Sequence, residues 1–396
     1  MSNRILFIGL SAFLFISCAK TPPVGQVAPM VSFTSQTSRT LVFPDPVPRD
    51  PGNVTASVSP KLATLLEKRL GEAAQKSGAT GISVSIWNPD GGRWTGQRGL
   101  ADMARNIPVD AGSVFHAGSV GKVFTAVLIF QLIENGELSL ETPLSRFYPD
   151  FPGADRIRMT HLLTHTSGIF SFNWEERFRK LDQVFSPRDY IYFAAEKGSL
   201  FEPGAMWSYS NTNYVILGEI AAEILGTDYA GAVRTRIIEP LGLKHTFVLT
   251  PENENSVLIS GHHQGQIVND QVNHAGPFGA GCIATTPQDL TDFFYGLLNG
   301  ELIRHASVLE MAKRFYPMGT GRSFYGKGLM MLDVPDLGVM LCHEGRIAGF
   351  GAMVGYLPSQ NVYLSVMVND ETNVDPIYYH LLKDLPWQGR SLTGMR

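Results

Sequence analysis

Ser119-Val120-Gly121-Lys122-Val123-Phe124-Thr125-Ala126-Val127-Leu128-Ile129-Phe130-Gln131-Leu132-Ile133-Glu134 is the stretch on which the fold turns. Val120, Val123, Phe124, Val127 and Leu128 recur at helical spacing, and Ala126, Ile129 and Phe130 make the other faces apolar too. A helix apolar on most sides is a buried one, and Asn135-Gly136 supplies its stop. At its head a hydroxyl and an amine stand three residues apart, on one face of the first turn. A serine hydroxyl attacks poorly until a base takes its proton. A free lysine, titrating near about 10.4, is no base at neutral pH, but burial strips hydration from the ammonium and lets the amine accept or relay a proton. The helix N-terminus adds partial positive charge where an oxyanion would form. The spacing alone is weak, because Ser17-Cys18-Ala19-Lys20 shows it too.

Two further constellations give it weight. Tyr209-Ser210-Asn211 follows Glu202-Pro203-Gly204. A tyrosine beside a lysine cation has its phenolate stabilised and can act as a base, and the Asn211 amide can bind Lys122 and a substrate carbonyl together. The plain alternative is a helix start, with Asn211 as cap and Tyr209 as packing. His343-Glu344-Gly345 ends an apolar strand. A cationic or donor side chain followed by glycine lets substrate lie along a strand edge, where a backbone N–H can serve an oxyanion. The alternative is an ordinary strand-to-turn junction.

Ser-x-x-Lys, Tyr-x-Asn and a Lys/His-x-Gly triplet in this order resemble the penicillin-recognising serine hydrolases: class C β-lactamases, D-alanyl-D-alanine carboxypeptidases and related esterases. Leu162-Leu163-Thr164-His165-Thr166-Ser167-Gly168, Pro240-Leu241-Gly242-Leu243 and Ala280-Gly281-Cys282-Ile283-Ala284-Thr285-Thr286 are similar to recurrent segments of that family. The resemblance implies Ser119 as nucleophile, Lys122 as proton relay and Tyr209 as general base and acid. It implies Asn211, His343, Gly345 and Arg346 as positioning groups, with the Ser119 and Arg346 N–H groups as oxyanion donors. It implies neither metal nor organic cofactor, and a small-molecule or peptidoglycan-type peptide substrate. Related β-lactamases carry Lys-Thr-Gly where this chain has His343-Glu344-Gly345. Histidine is a weaker, pH-dependent cation, and Glu344 would repel a substrate carboxylate unless it turns away or pairs with Arg346. An unusual peptidase, or an esterase without β-lactamase activity, suits that departure; a catalytically inactive sensor or binding protein is the alternative of another class.

Outward from this core, Lys61–Lys76 carries leucines at helical spacing, Gly81–Trp87 alternates as a strand, and Asn88-Pro89-Asp90-Gly91-Gly92 is turn chemistry for a hairpin. Strands return at 338–343, 349–357 and 362–369, before a closing helix at 376–385. Strands at both ends with helices between predict an α/β (α+β) fold, one antiparallel sheet flanked by terminal helices with a helical lobe inserted. The expected division is an α/β lobe at 61–118 and 285–390 and a helical lobe at 119–284, within a hydrolase domain at 61–390.

Residues 1–19 read as an export signal, with Arg4 ahead of a short apolar core. Phe15-Ile16-Ser17-Cys18 resembles a lipoprotein box with Cys18 lipidated, and residues 20–60 read as a Pro-rich tether. An exported chain anchored in the cell envelope is the expectation, the alternatives being simple secretion or a retained signal anchor, with the outer membrane preferred because Ala19 is not Asp. A formal net charge of −4 without a Lys/Arg stripe argues against nucleic acid. Cys282 and Cys342 suit either a disulfide or two buried thiols. His161 and His165 are four apart but lack the Glu of a zinc protease, and read as structural. Ala117-Gly118-Ser119-Val120-Gly121 nearly matches an α/β-hydrolase elbow, yet Val114-Phe115-His116 is too short for its strand and Lys122 would have no role there.

Overall fold

The computed structural model describes residues 31–32, 56–179, 185–319, 321–385 and 387. The signal reading and the Cys18 lipidation reading lie outside the described residues. Helix α1 (Pro60–Ser77) starts where Ser59 Oγ accepts the Leu62 N–H and Pro60 takes the first turn, and ends at Gly78 in the left-handed conformation. It buries Leu62, Leu66, Leu70 and Ala73 against the sheet that follows.

That sheet has nine strands: β1 (Gly81–Asn88), β2 (Gly92–Asp102), β3 (Ile107–Pro108), β4 (Tyr316–Pro317), β5 (Ser323–Tyr325), β6 (Met330–Val334), β7 (Gly338–Ile347), β8 (Phe350–Leu357) and β9 (Val362–Val368). Their spatial order is β4-β5-β6-β7-β8-β9-β1-β2-β3, antiparallel at each pairing. Within this sheet the earliest strand in the sequence thus pairs with the latest, Val84 opposite Val366, as the strand pattern at both ends predicts. The short strands β4, β5 and β6, which the sequence pattern did not announce, extend the sheet beyond β7.

Alternation along the strands makes two cores. On one face Met340, Cys342, Met353, Leu364 and Val84 pack under α1 and the closing helix α5 (Asp375–Leu382). On the other, Leu341, Ala352 and Val354 join the helical lobe through α4 (Pro287–Leu298). Within that lobe α2 (Gly121–Glu134) and α3 (Asn211–Leu225) lie against each other. Helix α2 is buried from Gly121 through Phe130, as an all-round apolar helix should be. Cys282 and Cys342 are both buried, and no disulfide joins them. No helix among the described residues is long and apolar enough to cross a membrane.

Phe124 of α2 stacks on Phe293 of α4, ring centroids 3.7 Å apart and planes 9° from parallel, both without solvent exposure. This contact ties α2 to the helix that lies on the sheet. Phe293→Ala should therefore cost about 3–5 kcal/mol of stability, read by urea denaturation monitored by circular dichroism.

Candidate active site

A small three-stranded sheet delivers the serine: Phe115–His116 pairs with Ile283–Thr285, which also pairs with Phe247–Val248. After it the chain turns sharply, with Gly118 at φ +52°, and Ser119 sits in a single 3₁₀ turn (Gly118–Val120) that runs into α2. The sequence pattern places Ser119 on the helix itself; the tighter turn arises because His116 Nδ1 accepts the Gly118 N–H at 2.9 Å and the sheet backbone crowds in. A Cβ on Gly118 would lie 2.6 Å from Arg346 N, and one on Gly345 would lie 2.0 Å from Ala117 O and 2.7 Å from Ser119 N. Strand β7 therefore passes the Ser119 turn backbone to backbone, which requires glycine on both sides.

Lys122, on the first turn of α2, has no solvent exposure. Its Nζ lies 3.0 Å from Ser119 Oγ and donates to Ala280 O at 2.6 Å. It also stands over the rings of Tyr209 and Tyr214, at 4.9 and 5.7 Å from their centroids. The sequence expects Asn211 to bind Lys122. The Asn211 amide instead donates to Asn173 Oδ1 at 2.9 Å, and its backbone N–H to Ser171 Oγ at 2.8 Å, so Ala280 O serves the lysine. Gly281 makes that possible, since its own Cβ would strike Gly118 O at 2.8 Å.

Of the cationic or donor side chain that the sequence expects at position 343, the structure holds an uncharged one, His343. It is buried, and desolvation, reinforced by the charge of Lys122, holds its pKa down at about 3. Its Nδ1–H donates to Glu344 O at 2.7 Å and its Nε2 accepts from the Tyr325 hydroxyl at 3.0 Å. It is a neutral imidazole. Glu344, the next residue on β7, points to the opposite face, toward Asp375 and Tyr378 of α5. Burial and the neighbouring Asp375 carboxyl raise its pKa well above the carboxylate range, while Arg346 opposes that rise. Arg346 reaches Asn373 Oδ1 at 2.9 Å. Glu344 thus stands behind the sheet and away from Ser119.

The structure brings Ser119, Lys122, Tyr209, His343, Gly345 and the Arg346 backbone into one cluster. It adds residues that sequence reasoning missed as participants: Tyr325, Tyr214, His116 and His165. Tyr325 sits in a segment without a clear strand pattern. His165 lies in a quoted family segment, but nothing in its spacing to His161 shows what it touches. His161 instead accepts the Arg158 N–H through Nδ1 at 3.1 Å and caps the short helix Met159–Leu163. In the Gly261–Gly265 loop, His262 is tied to Asn369 O and His263 to Glu371. Among the described residues no group of three His, Cys, Asp or Glu side chains could hold a metal ion.

Residues 66–383 match the family described as Beta-lactamase. Penicillin-binding protein 4* of Bacillus subtilis (strain 168) is 29% identical over 294 residues, covering 67% of this chain and 64% of that protein, so the chain spans less than two thirds of that relative. A beta-lactamase of Yersinia enterocolitica is 25% identical over 348 residues, covering 78% of this chain and 87% of that one. Among solved structures, D-amino acid amidase from Ochrobactrum anthropi SV3 complexed with D-phenylalanine superposes with a TM-score of 0.74 at 24% identity. It covers 81% of this chain and 99% of its own, a likeness of fold.

Four buried histidines give the site an acid limit. Burial holds His116 and His343 at about 3 and His274 at about 4, and His165 well below its ordinary value. The unfolded chain takes up protons near pH 6.5, the folded chain only far below it. The neutral histidines thus contribute their full stability above pH 6.5, and it is lost as pH falls toward 3–4, each histidine costing about 1.4 kcal/mol per pH unit. The Glu344–Asp375 pair, with both pKa values raised, has the opposite sign and loses stability as pH rises. Urea unfolding at pH 7, 6 and 5 should show the acid loss. Both ring nitrogens of His274 are buried without a partner, so His274→Phe should flatten the slope by about one proton without lowering stability at pH 7.

Proposed function

The chain belongs to the beta-lactamase family, a family of serine hydrolases of amides, esters and β-lactams, and from that membership we propose an acyl-enzyme mechanism centred on Ser119. The observation that carries it is the fully buried Lys122 with Nζ 3.0 Å from Ser119 Oγ. Ser119 Oγ attacks the substrate carbonyl carbon while its proton goes to Lys122, which passes one of its own on to the Tyr209 phenolate, so that Lys122 relays and Tyr209 is the base. The carbonyl oxygen, now negative, is met by the Ser119 and Arg346 N–H groups. The bond from carbonyl carbon to leaving oxygen or nitrogen breaks, and Tyr209 returns the proton to the leaving group. Water then attacks the ester on Ser119 by the same route and frees the carboxylic acid. Asn211, held by the 171–174 segment, positions the substrate carbonyl's side of the site.

The neutral His343 favours one substrate class. A β-lactam or a C-terminal D-amino acid presents a carboxylate, and His343 offers it no cation at neutral pH. Neutral carboxylic esters and amides are therefore the proposed substrates, with β-lactams poor ones.

Fluorophosphonate should label the folded protein, and Ser119→Ala should abolish the label; absence of label on folded wild-type protein removes the hydrolase reading and leaves the inactive binding protein. A fluorescent penicillin should label far more slowly than fluorophosphonate. Tyr209→Phe should lower kcat for p-nitrophenyl esters by roughly 10²–10⁴, with thermal stability unchanged; near-normal turnover removes Tyr209 from the chemistry.

Export and anchoring belong to the same proposal. The signal at 1–19 and Cys18 support a lipid-anchored enzyme facing the cell envelope, on a Pro-rich segment of which Val31–Ser32 pair with Met206–Trp207 of the folded domain. In cells fed an alkyne-tagged fatty acid, the wild-type chain should carry the tag and Cys18→Ala should not.

A further inference from the structure

We propose that His165 is the residue that positions Tyr209 for proton transfer. The inference rests on the reading of Tyr209 as the general base and acid.

Three contacts from one residue enclose Tyr209. The backbone carbonyl of His165 accepts the Ser208 N–H at 3.0 Å, and its Nδ1 accepts the Ser210 N–H at 3.1 Å. The residues on either side of Tyr209 are thereby fixed to the same histidine. Between these two bonds the imidazole lies on the Tyr209 ring, centroids 4.2 Å apart. Tyr209 thus has one face set by His165 and Lys122 Nζ 4.9 Å from its ring centroid.

His165 is built for that task at some cost. Its φ of +60° is left-handed, a region that few non-glycine residues enter, Asn, Asp and His more often than the rest. That backbone turn is what lets the carbonyl and the imidazole of a single residue reach N–H groups two residues apart. The ring is fully buried. Nδ1 faces the Ser210 N–H and, at 3.4 Å, the Asn213 amide nitrogen. Both can donate, so Nδ1 is an acceptor and the ring's proton is on Nε2. A second proton would have to enter between two donors and beside Lys122.

The arrangement separates His165 from a residue that merely fills space. An acceptor at the Nδ1 position in a left-handed backbone is what Asn can also supply, and glycine tolerates the backbone but supplies neither acceptor nor ring. With a neutral ester as substrate, His165→Gly should lower kcat by about 10²-fold with KM little changed, because the loss falls on proton transfer. His165→Asn should recover at least a tenth of wild-type kcat. In a Tyr209→Phe background, His165→Gly should cause no further loss of kcat, since there is no phenol left to position.

The cycle keeps two failures apart. Near-normal turnover of Tyr209→Phe alone sinks the role of Tyr209 and the inference with it. A crippled Tyr209→Phe combined with a folded His165→Gly that turns over normally sinks the inference alone. So does a His165→Gly loss of equal size in both backgrounds, which is the mark of a structural role. Should His165→Gly fail to fold, the smaller loss of His165→Asn must vanish in the Tyr209→Phe background for the inference to stand.

Discussion

A lysine amine without solvent exposure, inside an almost wholly apolar helix, is the constraint around which the molecule is arranged. Lys122 forgoes water, and the fold must replace what water gave. Ser119 Oγ and Ala280 O supply hydrogen-bond partners, and two tyrosine rings supply their negative faces. The turn at 278–281 brings Ala280 O to Nζ, with Gly281 packed against Gly118 O. The neutrality of His165 and His343 has the same origin: an imidazolium near Lys122 would add a second buried positive charge, so burial and repulsion agree. The third motif therefore contributes shape and hydrogen bonding, and the positive charge of the site is concentrated at one atom.

What could be read in the sequence follows from what is local. Helix α2 is legible because its periodicity and its stop lie within the continuous stretch from Ser119 to Gly136. The pairing of β1 with β9 was legible because strands with clear alternation stand at both ends. Strands β4, β5 and β6 were not, since two to five residues interrupted by glycine carry too little pattern, and Tyr325 went unnoticed with them. The three motifs were readable as residue types at ordered positions. Their electrostatics were not, because the charge state of His343 depends on burial created by segments far away in the chain. His165 was the deepest omission: its importance lies in a left-handed backbone and in partners at 208 and 210, neither of which leaves a trace in its own neighbourhood.

Alternation along β7 also resolves a conflict visible in the text. His343 and Glu344 are adjacent, and a reader of the sequence sets both before the substrate. The pleat sends one toward Tyr325 and the Ser119 side and the other toward Asp375 beneath α5. Chemistry and a proton-sharing acid pair thus occupy two faces of one strand. Whatever Glu344 does to the site it does through the strand, by way of the closing helix.

The close passage of Gly345 and Gly118 bears on how such an enzyme diversifies. The distance between nucleophile and sheet is set by main chain against main chain, with no side chain interposed. Positions 343, 344 and 346 can then drift in charge and size, changing what is admitted, while the alignment of the attacking oxygen with the strand stays fixed. The two glycines act as a gauge that is indifferent to the residues around it. A scaffold with its critical dimension written in backbone can exchange substrates over evolutionary time without having to rebuild its reaction centre.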